Sequence, residues 1–202
     1  MDRRQLLLTA PALLTVASAG FAQEETAPEI LEMALGSDAE DAPVLIEYAS
    51  YTCPACKRFH EVTWPVLKSE YIDTGKIRFV NRELLRNRAD LWAAMIARCS
   101  GGEKYFGIVD MLFKQQAEWT NGSEADIADN LRKIGLLAGF DKDTVNACFT
   151  DRDYALALVE KTQADQEADA VTATPTLFLN GQRLTAVDPD SMRAALDAAI
   201  GG

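Results

Sequence analysis

The chain has 202 residues, enough for one domain or for one domain that carries an insertion. Hydrophobic residues make up 48% of it and charged residues 25%, which is the balance of a globular protein and excludes a disordered tail, a collagen-like fibre and a protein with many membrane spans. Its formal net charge of -11 repels a phosphate backbone, so we exclude nucleic-acid binding.

The amino terminus has the pattern of a secretory signal peptide. Arg3 and Arg4 precede an apolar run from Leu6 to Val16, and small residues follow as far as Ala22. The run is shorter than the ~20 residues that a bilayer span requires, so we predict cleavage after Ala22 and a mature protein in the periplasm or another exported compartment. An uncleaved membrane anchor is the alternative, and the choice between the Sec and twin-arginine routes stays open.

The first half of the mature chain predicts two strands and a helix. After a polar lead from Gln23, the apolar run from Pro43 to Tyr51 predicts a buried strand. From Pro54 onward apolar residues recur every three to four positions, which indicates a helix, and Pro65 should kink it. Lys76 to Arg82 predicts the second strand.

A long helical block follows. The span from Leu85 to Gln163 has helical periodicity throughout. Ser123 with Asp126, and Asp141 farther along, are typical of residues at which helices begin. We therefore predict several helices in this span and no strand.

Strand signals return near the carboxyl terminus. Thr176 to Leu179 is apolar, Asn180-Gly181 is a strong hairpin signal, and Gln182 to Leu184 should pair back. A closing helix is predicted from Asp188. The helical block thus separates two groups of predicted strands along the chain.

The motif Cys53-Pro54-Ala55-Cys56 lies where the first predicted strand meets its helix. The free amide groups and the dipole at a helix start stabilise negative charge, and proline is tolerated there. We therefore predict a lowered pKa for Cys53 and a less exposed Cys56 able to close a short disulfide. A stabilised thiolate favours the reduced form of the cysteine pair, so the disulfide of that pair is a good oxidant of other thiols.

Two other interpretations of the cysteine pair are a zinc site and a purely structural disulfide. A zinc site needs two more ligands, and the candidates His60, Cys99 and Cys148 are isolated along the chain, so we predict no metal and no other cofactor. A purely structural disulfide across two residues would close too small a loop to stabilise much. His60 itself is expected to face solvent on the helix.

Two further positions are candidate site residues. Glu47 lies in an otherwise apolar strand, either as a buried acid that exchanges protons with Cys56 or as a rim residue facing water. Thr174-Pro175 begins the last apolar strand, where a cis peptide bond would turn backbone polar groups toward the cysteines and offer a substrate segment a place to pair. An ordinary trans proline is the alternative.

The sequence resembles the DsbA-like thiol:disulfide oxidoreductases of the thioredoxin superfamily. The resemblance is carried by APVLIEYASYTCPACKRFHEVTWP, by KIRFVNREL and by VTATPTLFLNGQRL. It implies an α/β fold, with a thioredoxin-like domain of residues 23–84 and 164–202 interrupted by a helical domain of residues 85–163. It also implies that Cys53 is the nucleophile, that Cys56 resolves, that Glu47 is the buried acid and that a cis Pro175 faces the disulfide.

Two residues depart from the pattern of that family. Many relatives have a histidine directly before the second cysteine, where this chain has Ala55, which puts the strength of the oxidant in doubt. Relatives also commonly have glycine two residues before the cis proline, where this chain has Ala173, so substrate approach could be tighter.

Cys99 and Cys148 lie on apolar stripes of the helical block. In an oxidising compartment we expect them to pair as a structural disulfide. Free thiols and crossed pairings with Cys53 and Cys56 remain the alternatives.

The expected function is the oxidation of reduced exported polypeptides. By resemblance, a membrane quinone reductase of the DsbB type would reoxidise the enzyme, and the short lead before Pro43 favours a monomer. A disulfide isomerase or reductase of the same fold is the first alternative. The second is a periplasmic binding or chaperone module whose cysteines are only structural.

Overall fold

The structure is a computed structural model that describes residues 28–201, so the predicted signal peptide lies outside the described residues. A mixed sheet has the strand order β1-β3-β2-β4-β5. Its strands are β1 (Met33–Gly36), β2 (Val44–Ala49), β3 (Arg78–Glu83), β4 (Thr176–Leu179) and β5 (Gln182–Arg183). The strands β2 and β3 run parallel, and every other neighbouring pair is antiparallel.

Helices flank the sheet and fill the span between β3 and β4. They are α1 (Pro54–Val62), α2 (Trp64–Leu67), α3 (Arg88–Ala97), α4 (Tyr105–Lys114), α5 (Gln116–Trp119), α6 (Glu124–Leu137), α7 (Lys142–Thr150), α8 (Arg152–Ala168) and α9 (Pro189–Gly201). A π-helical turn (Lys68–Ile72) follows α2, and a 3-10 turn (Arg98–Ser100) follows α3. The α/β class and the helical interruption are confirmed, although α8 runs past the predicted boundary at residue 163.

The edge strand β1 was not predicted. It has four residues, too few to show an alternating pattern within the polar lead, and it is held by antiparallel pairing with β3. Gly36 ends it with a φ of 93°, and a Cβ there would lie 2.2 Å from the carbonyl oxygen of Ile77. The close approach of the Ile77 carbonyl therefore restricts this position to glycine.

Helix boundaries follow the local chemistry of the sequence. The helix α1 begins at Pro54, and the break expected at Pro65 falls at Thr63, between α1 and α2. Ser123 caps α6 in a reciprocal box with Asp126, and Asp141 caps α7. These predictions are confirmed because caps depend on neighbouring residues alone.

Two apolar clusters meet beside the cysteine motif. One packs the sheet against α1, α2 and α9, with buried members that include Leu45, Phe59, Trp64, Leu67, Phe79, Leu177 and Met192. The other joins α3, α4, α6 and α7 to Cys53 and Cys56. Burial of this apolar area is the main force that docks the helical insertion on the sheet. Within residues 28–201, no helix is both long enough and apolar enough to cross a membrane.

Candidate active site

Cys53 occupies the N-cap of α1, at the end of the loop that follows β2. Its backbone is extended, with φ -82° and ψ 121°, and Pro54 takes the first helical position. The Cys53 amide donates to the carbonyl oxygen of Ser50 over 3.1 Å, and its carbonyl accepts from the Lys57 amide over 3.1 Å. The thiol is thus held at the helix start, where free amides favour an anion.

The two thiols of the motif have opposite environments. Cys53 keeps 5% exposure, whereas Cys56 is fully buried, and both are free thiols in this structure. Partial burial opposes ionisation of Cys53, but the neighbouring Thr174 side chain and the amides of Cys56 and Ala55 together lower its pKa. Burial, and then the nearby charge of Glu47, raise the pKa of Cys56. One sulfur is therefore suited to be a thiolate and the other a thiol.

The loop before β4 lies against the nucleophile. The Thr174-Pro175 peptide bond is cis, and the Cys53 thiol donates to the carbonyl oxygen of Thr174 over 3.5 Å. The sequence motif near the carboxyl terminus is thereby brought to the cysteine motif, more than a hundred residues earlier in the chain. The arrangement leaves this loop beside the sulfur that a substrate would attack.

Glu47 is fully buried in β2, so the water-facing alternative is wrong. Its oxygens lie 3.1 and 3.2 Å from Nε2 of His60, and Nδ2 of Asn81 donates to it over 3.2 Å. The expectation that His60 faces solvent is also wrong, since the residue is only 8% exposed. The ring of Phe113 on α4 stacks on the imidazole with centroids 4.0 Å apart, a contact that helix periodicity cannot reveal.

Asp90 anchors the loop that leads to Cys53. This fully buried carboxylate accepts from the Thr52 amide over 2.8 Å and from the Arg86 amide over 3.0 Å. The hydroxyls of Ser50 and Thr52 also donate to it. Burial raises the pKa of Asp90, and these hydrogen bonds act against that rise. Sequence analysis missed this residue because Ser50 and Thr52, its partners in the loop before Cys53, are about forty positions away.

Gln116 is a second anchor that sequence analysis missed. Its Nε2 donates to the carbonyl oxygen of Tyr51 over 2.7 Å and to that of Cys53 over 3.0 Å. The side chain comes from α5, in the helical insertion, and is buried. The insertion therefore fixes the backbone of the nucleophile directly.

A buried polar chain leads away from Glu47. The hydroxyl of Tyr105 lies 2.7 Å from Oδ1 of Asn81 and 2.8 Å from Glu83. Arg98 then binds Glu83 with two nitrogens, each over 2.7 Å. The pair is almost completely buried, and a buried charge is tolerated only when it is matched in this way.

Cys99 and Cys148 are joined by a disulfide, with Cα atoms 5.6 Å apart. The bridge links the 3-10 turn that follows α3 to α7 inside the insertion. Within residues 28–201 no three His, Cys, Asp or Glu side chains are grouped so that they could hold a metal ion. Among the described residues, Cys53 and Cys56 are free thiols, in contrast to the bridged Cys99 and Cys148.

Comparison with known proteins places this geometry in a family. A thioredoxin family model matches residues 30–198. A Rickettsia bellii protein named as a protein-disulfide oxidoreductase is 34% identical over 170 residues, which are 84% of this chain and 64% of that protein's length. Disulfide bond formation protein D of Bacillus subtilis is 27% identical over 183 residues, covering 83% of this chain and 77% of that one.

The fold has a solved counterpart as well. The crystal structure of Wolbachia pipientis alpha-DsbA1 superposes with a TM-score of 0.76 at 26% identity, covering 86% of this chain and 93% of that chain. The helical insertion is part of that match. The chain therefore belongs to the thioredoxin family, and its fold is that of the DsbA-like members.

Proposed function

We propose that this chain is a thiol:disulfide oxidoreductase that introduces disulfides into exported polypeptides through Cys53 and Cys56. The observation that carries the proposal is the asymmetry of the two thiols: Cys53, at the helix start, has a lowered pKa, and the fully buried Cys56 has a raised one. Such a pair directs attack to Cys53 and makes the disulfide easy to reduce. The names of the relatives are consistent with this chemistry.

The reaction begins with the Cys53–Cys56 disulfide. A substrate thiolate attacks the sulfur of Cys53, a substrate–Cys53 disulfide forms, the Cys53–Cys56 bond breaks, and the sulfur of Cys56 leaves and takes a proton. A second substrate thiolate then attacks the substrate sulfur of the mixed disulfide and releases Cys53 as a thiolate. The substrate dithiol loses two electrons, which reduce the enzyme disulfide to the thiolate of Cys53 and the thiol of Cys56.

Other candidate residues take supporting roles in the proposal. Glu47 exchanges the proton of Cys56, because its charge acts on that sulfur and no solvent reaches either group. Thr174 and Pro175 bind the substrate backbone next to Cys53, since the Thr174 carbonyl already contacts the thiol. The Cys99–Cys148 bridge acts on stability, away from the reaction.

The sequence and the family support a proposal for the cellular setting. The amino-terminal pattern supports export to the periplasm or a similar compartment, where an oxidase of this kind acts. A membrane quinone reductase of the DsbB type would return the electrons of the reduced pair to the respiratory pool.

Oxidation of a dithiol peptide in a glutathione buffer tests the function. The wild-type protein should form the peptide disulfide, Cys53→Ser should be inactive, and Cys56→Ser should accumulate a mixed disulfide with the peptide, detectable by mass spectrometry. Activity in Cys53→Ser would refute the assignment. A binding module with structural cysteines would give no turnover with any of the three proteins.

The same preparation separates oxidase from isomerase. The reduction potential, measured against glutathione, should be high, and scrambled ribonuclease should be repaired poorly. A low potential with efficient repair would instead assign the chain as an isomerase.

A further inference from the structure

A groove of about 350 Å³ lies beside the nucleophile, between α3 and α6. Its near wall is Thr52, the residue directly before Cys53 in the chain. Consecutive Cα atoms are about 3.8 Å apart, so the groove begins one residue from the nucleophile. The proposed reaction uses Cys53, Cys56 and the loop at Thr174, and it leaves this groove without a role.

The floor of the groove is apolar and only half-buried. It is formed by Ala89 and Trp92 of α3 and by Ile127 of α6, which pack against the core of the helical insertion. The rings of Trp92 and Phe149 have centroids 5.7 Å apart, so the indole is packed against the insertion. The open side of the floor is apolar surface in contact with water, and covering it with an apolar group is favourable.

The rim of the groove carries one ion pair and no net charge. Arg88 of α3 donates to Glu124 of α6 over 2.8 Å, and both side chains are mostly exposed, at 62% and 68%. The guanidinium also lies 5.8 Å from the centre of the Trp92 ring. The other rim residues, Asn87 and Thr120, are uncharged. A neutral side chain therefore matches the groove better than a charged one, because a charged group would meet a like charge there.

Hydrogen bonds hold the wall that joins the groove to the nucleophile. Nδ2 of Asn87 donates to the hydroxyl oxygen of Thr52 over 3.1 Å, and Asp90 accepts from the Thr52 amide over 2.8 Å. Asn87 is also the N-cap of α3, where its side chain accepts from the Asp90 amide. The start of α3 thus fixes the groove relative to Cys53, and a ligand meets a site that is already formed.

We propose that this groove is a substrate subsite that binds an apolar or aromatic side chain of the polypeptide, a few residues from its reactive cysteine. The proposal rests on the proposed function and deepens it by naming the substrate feature that is selected. A polypeptide joined to Cys53 extends in both directions from its own cysteine, so its neighbouring residues lie on the surface around Cys53. An aromatic ring in the groove would cover Trp92 and Ile127, and such rings bury a large apolar area at interfaces.

Thiol exchange at equilibrium measures this selection. Cys56→Ser protein with glutathione on Cys53 is mixed with single-cysteine peptides that have phenylalanine, alanine or aspartate at one position up to three residues from the cysteine. The peptide thiolate attacks the Cys53 sulfur, the peptide–Cys53 bond forms, and glutathione leaves as a thiolate. At one position the phenylalanine peptide should have an exchange constant about five to ten times that of the alanine peptide, the effect of half-burying its ring. The aspartate peptide should do no better than alanine.

Two leucine substitutions test whether the groove causes the preference. Ala89→Leu narrows the groove from its floor, and Ala164→Leu is the matched control, since Ala164 is an exposed residue of α8 outside the groove. Ala89→Leu should bring the phenylalanine-to-alanine ratio close to one, and Ala164→Leu should leave it unchanged. Ile127→Ala removes part of the floor without filling the groove, so it should lower the ratio too.

The ratio is taken within one protein, so a change in the Cys53 pKa or in stability cancels. An unchanged ratio in Ala89→Leu would overturn the proposal. A preference for aspartate, or equal exchange constants for phenylalanine and alanine at every position, would overturn it as well.

The place of contact is tested by photocrosslinking. A benzophenone amino acid at the selected position of the peptide should crosslink the mixed disulfide to α3 or α6, and crosslinks confined to α1, α4 or α9 would overturn the proposal. Another copy of this chain is the rival occupant: a dimer in light scattering that Ala89→Leu dissociates would assign the groove to self-association instead. Failure of the wild-type protein to oxidise a dithiol peptide would refute the proposed function alone, because the exchange with Cys56→Ser protein involves no net oxidation.

Discussion

Replacing Asp90 by alanine tests how the loop before the nucleophile is held. The substitution removes the acceptor of two backbone amides, those of Thr52 and Arg86. The hydroxyls of Ser50 and Thr52 keep each other as partners at 3.3 Å. The variant therefore leaves mainly backbone donors unmatched.

The magnitude follows from those two amides. An unmatched buried donor costs about 1–3 kcal/mol, and the Arg86 amide, on an exposed residue, can recover a bond to water. We expect the Asp90→Ala variant to lose about 1–3 kcal/mol of unfolding free energy, the cost of the one amide left unmatched. The alkylation rate of Cys53 should also change, because Thr52 is its direct neighbour.

The loss should depend on pH in a defined direction. The pKa of Asp90 is raised in the folded state, so the wild-type carboxyl group stabilises the fold most below its unfolded pKa. That contribution declines as the pH rises through the folded pKa. The alanine variant lacks it, so the difference between the two proteins should be largest in acid and smaller at neutral pH.

Urea unfolding followed by tryptophan fluorescence at both pH values measures the effect. Asp129→Ala is the matched control, since its side chain is 70% exposed on α6 and surface changes cost within about 0.5 kcal/mol. If Asp90→Ala behaves like this control, the carboxylate does not anchor the loop, whereas a loss that grows with pH would contradict the raised pKa of Asp90.

Three other measurements follow from buried groups. Replacing Cys99 and Cys148 by alanine should lower the unfolding free energy by about 4 kcal/mol, since the bridge closes a loop of sequence separation 49, and a loss below about 1 kcal/mol in urea would contradict this. Arg98→Met should lose about 3–5 kcal/mol of unfolding free energy in urea, because it leaves the buried Glu83 carboxylate without its ion-pair partner, and a loss below about 1 kcal/mol would contradict this. The ultraviolet absorbance of reduced protein should show Cys53 ionising below the pKa of free cysteine, and an ordinary midpoint would refute the catalytic proposal.

Local features of the fold were predictable from sequence. The start of α1 at Pro54 and the cap of α6 at Ser123 depend on residues within one turn, and both were predicted correctly. The strand β1 depends on pairing with β3, and its four residues show no pattern by themselves. Short edge strands are set by their neighbours, which is why the prediction failed there.

The candidate site also combines residues that were predictable from a local motif with residues whose surroundings depend on distant contacts. Cys53 and Cys56 form a local motif, and the sequence correctly predicted that a helix begins beside it. The sequence could not predict the environment of Glu47, because His60 contacts Glu47 only where Phe113 stacks on the imidazole. Phe113 lies on a helix about fifty residues farther along the chain. Asp90 was missed for the same reason.

The contact made by Gln116 has a consequence for protein engineering. Transplanting the four-residue cysteine motif into a thioredoxin scaffold that lacks α5 would leave the carbonyls at positions 51 and 53 without the side-chain donor of Gln116, so that the Cys53 carbonyl keeps only its helix hydrogen bond. The reactive turn would then be free to shift, even with every residue of the motif retained. Grafts that carry α5 along with the motif should preserve the geometry of the parent protein.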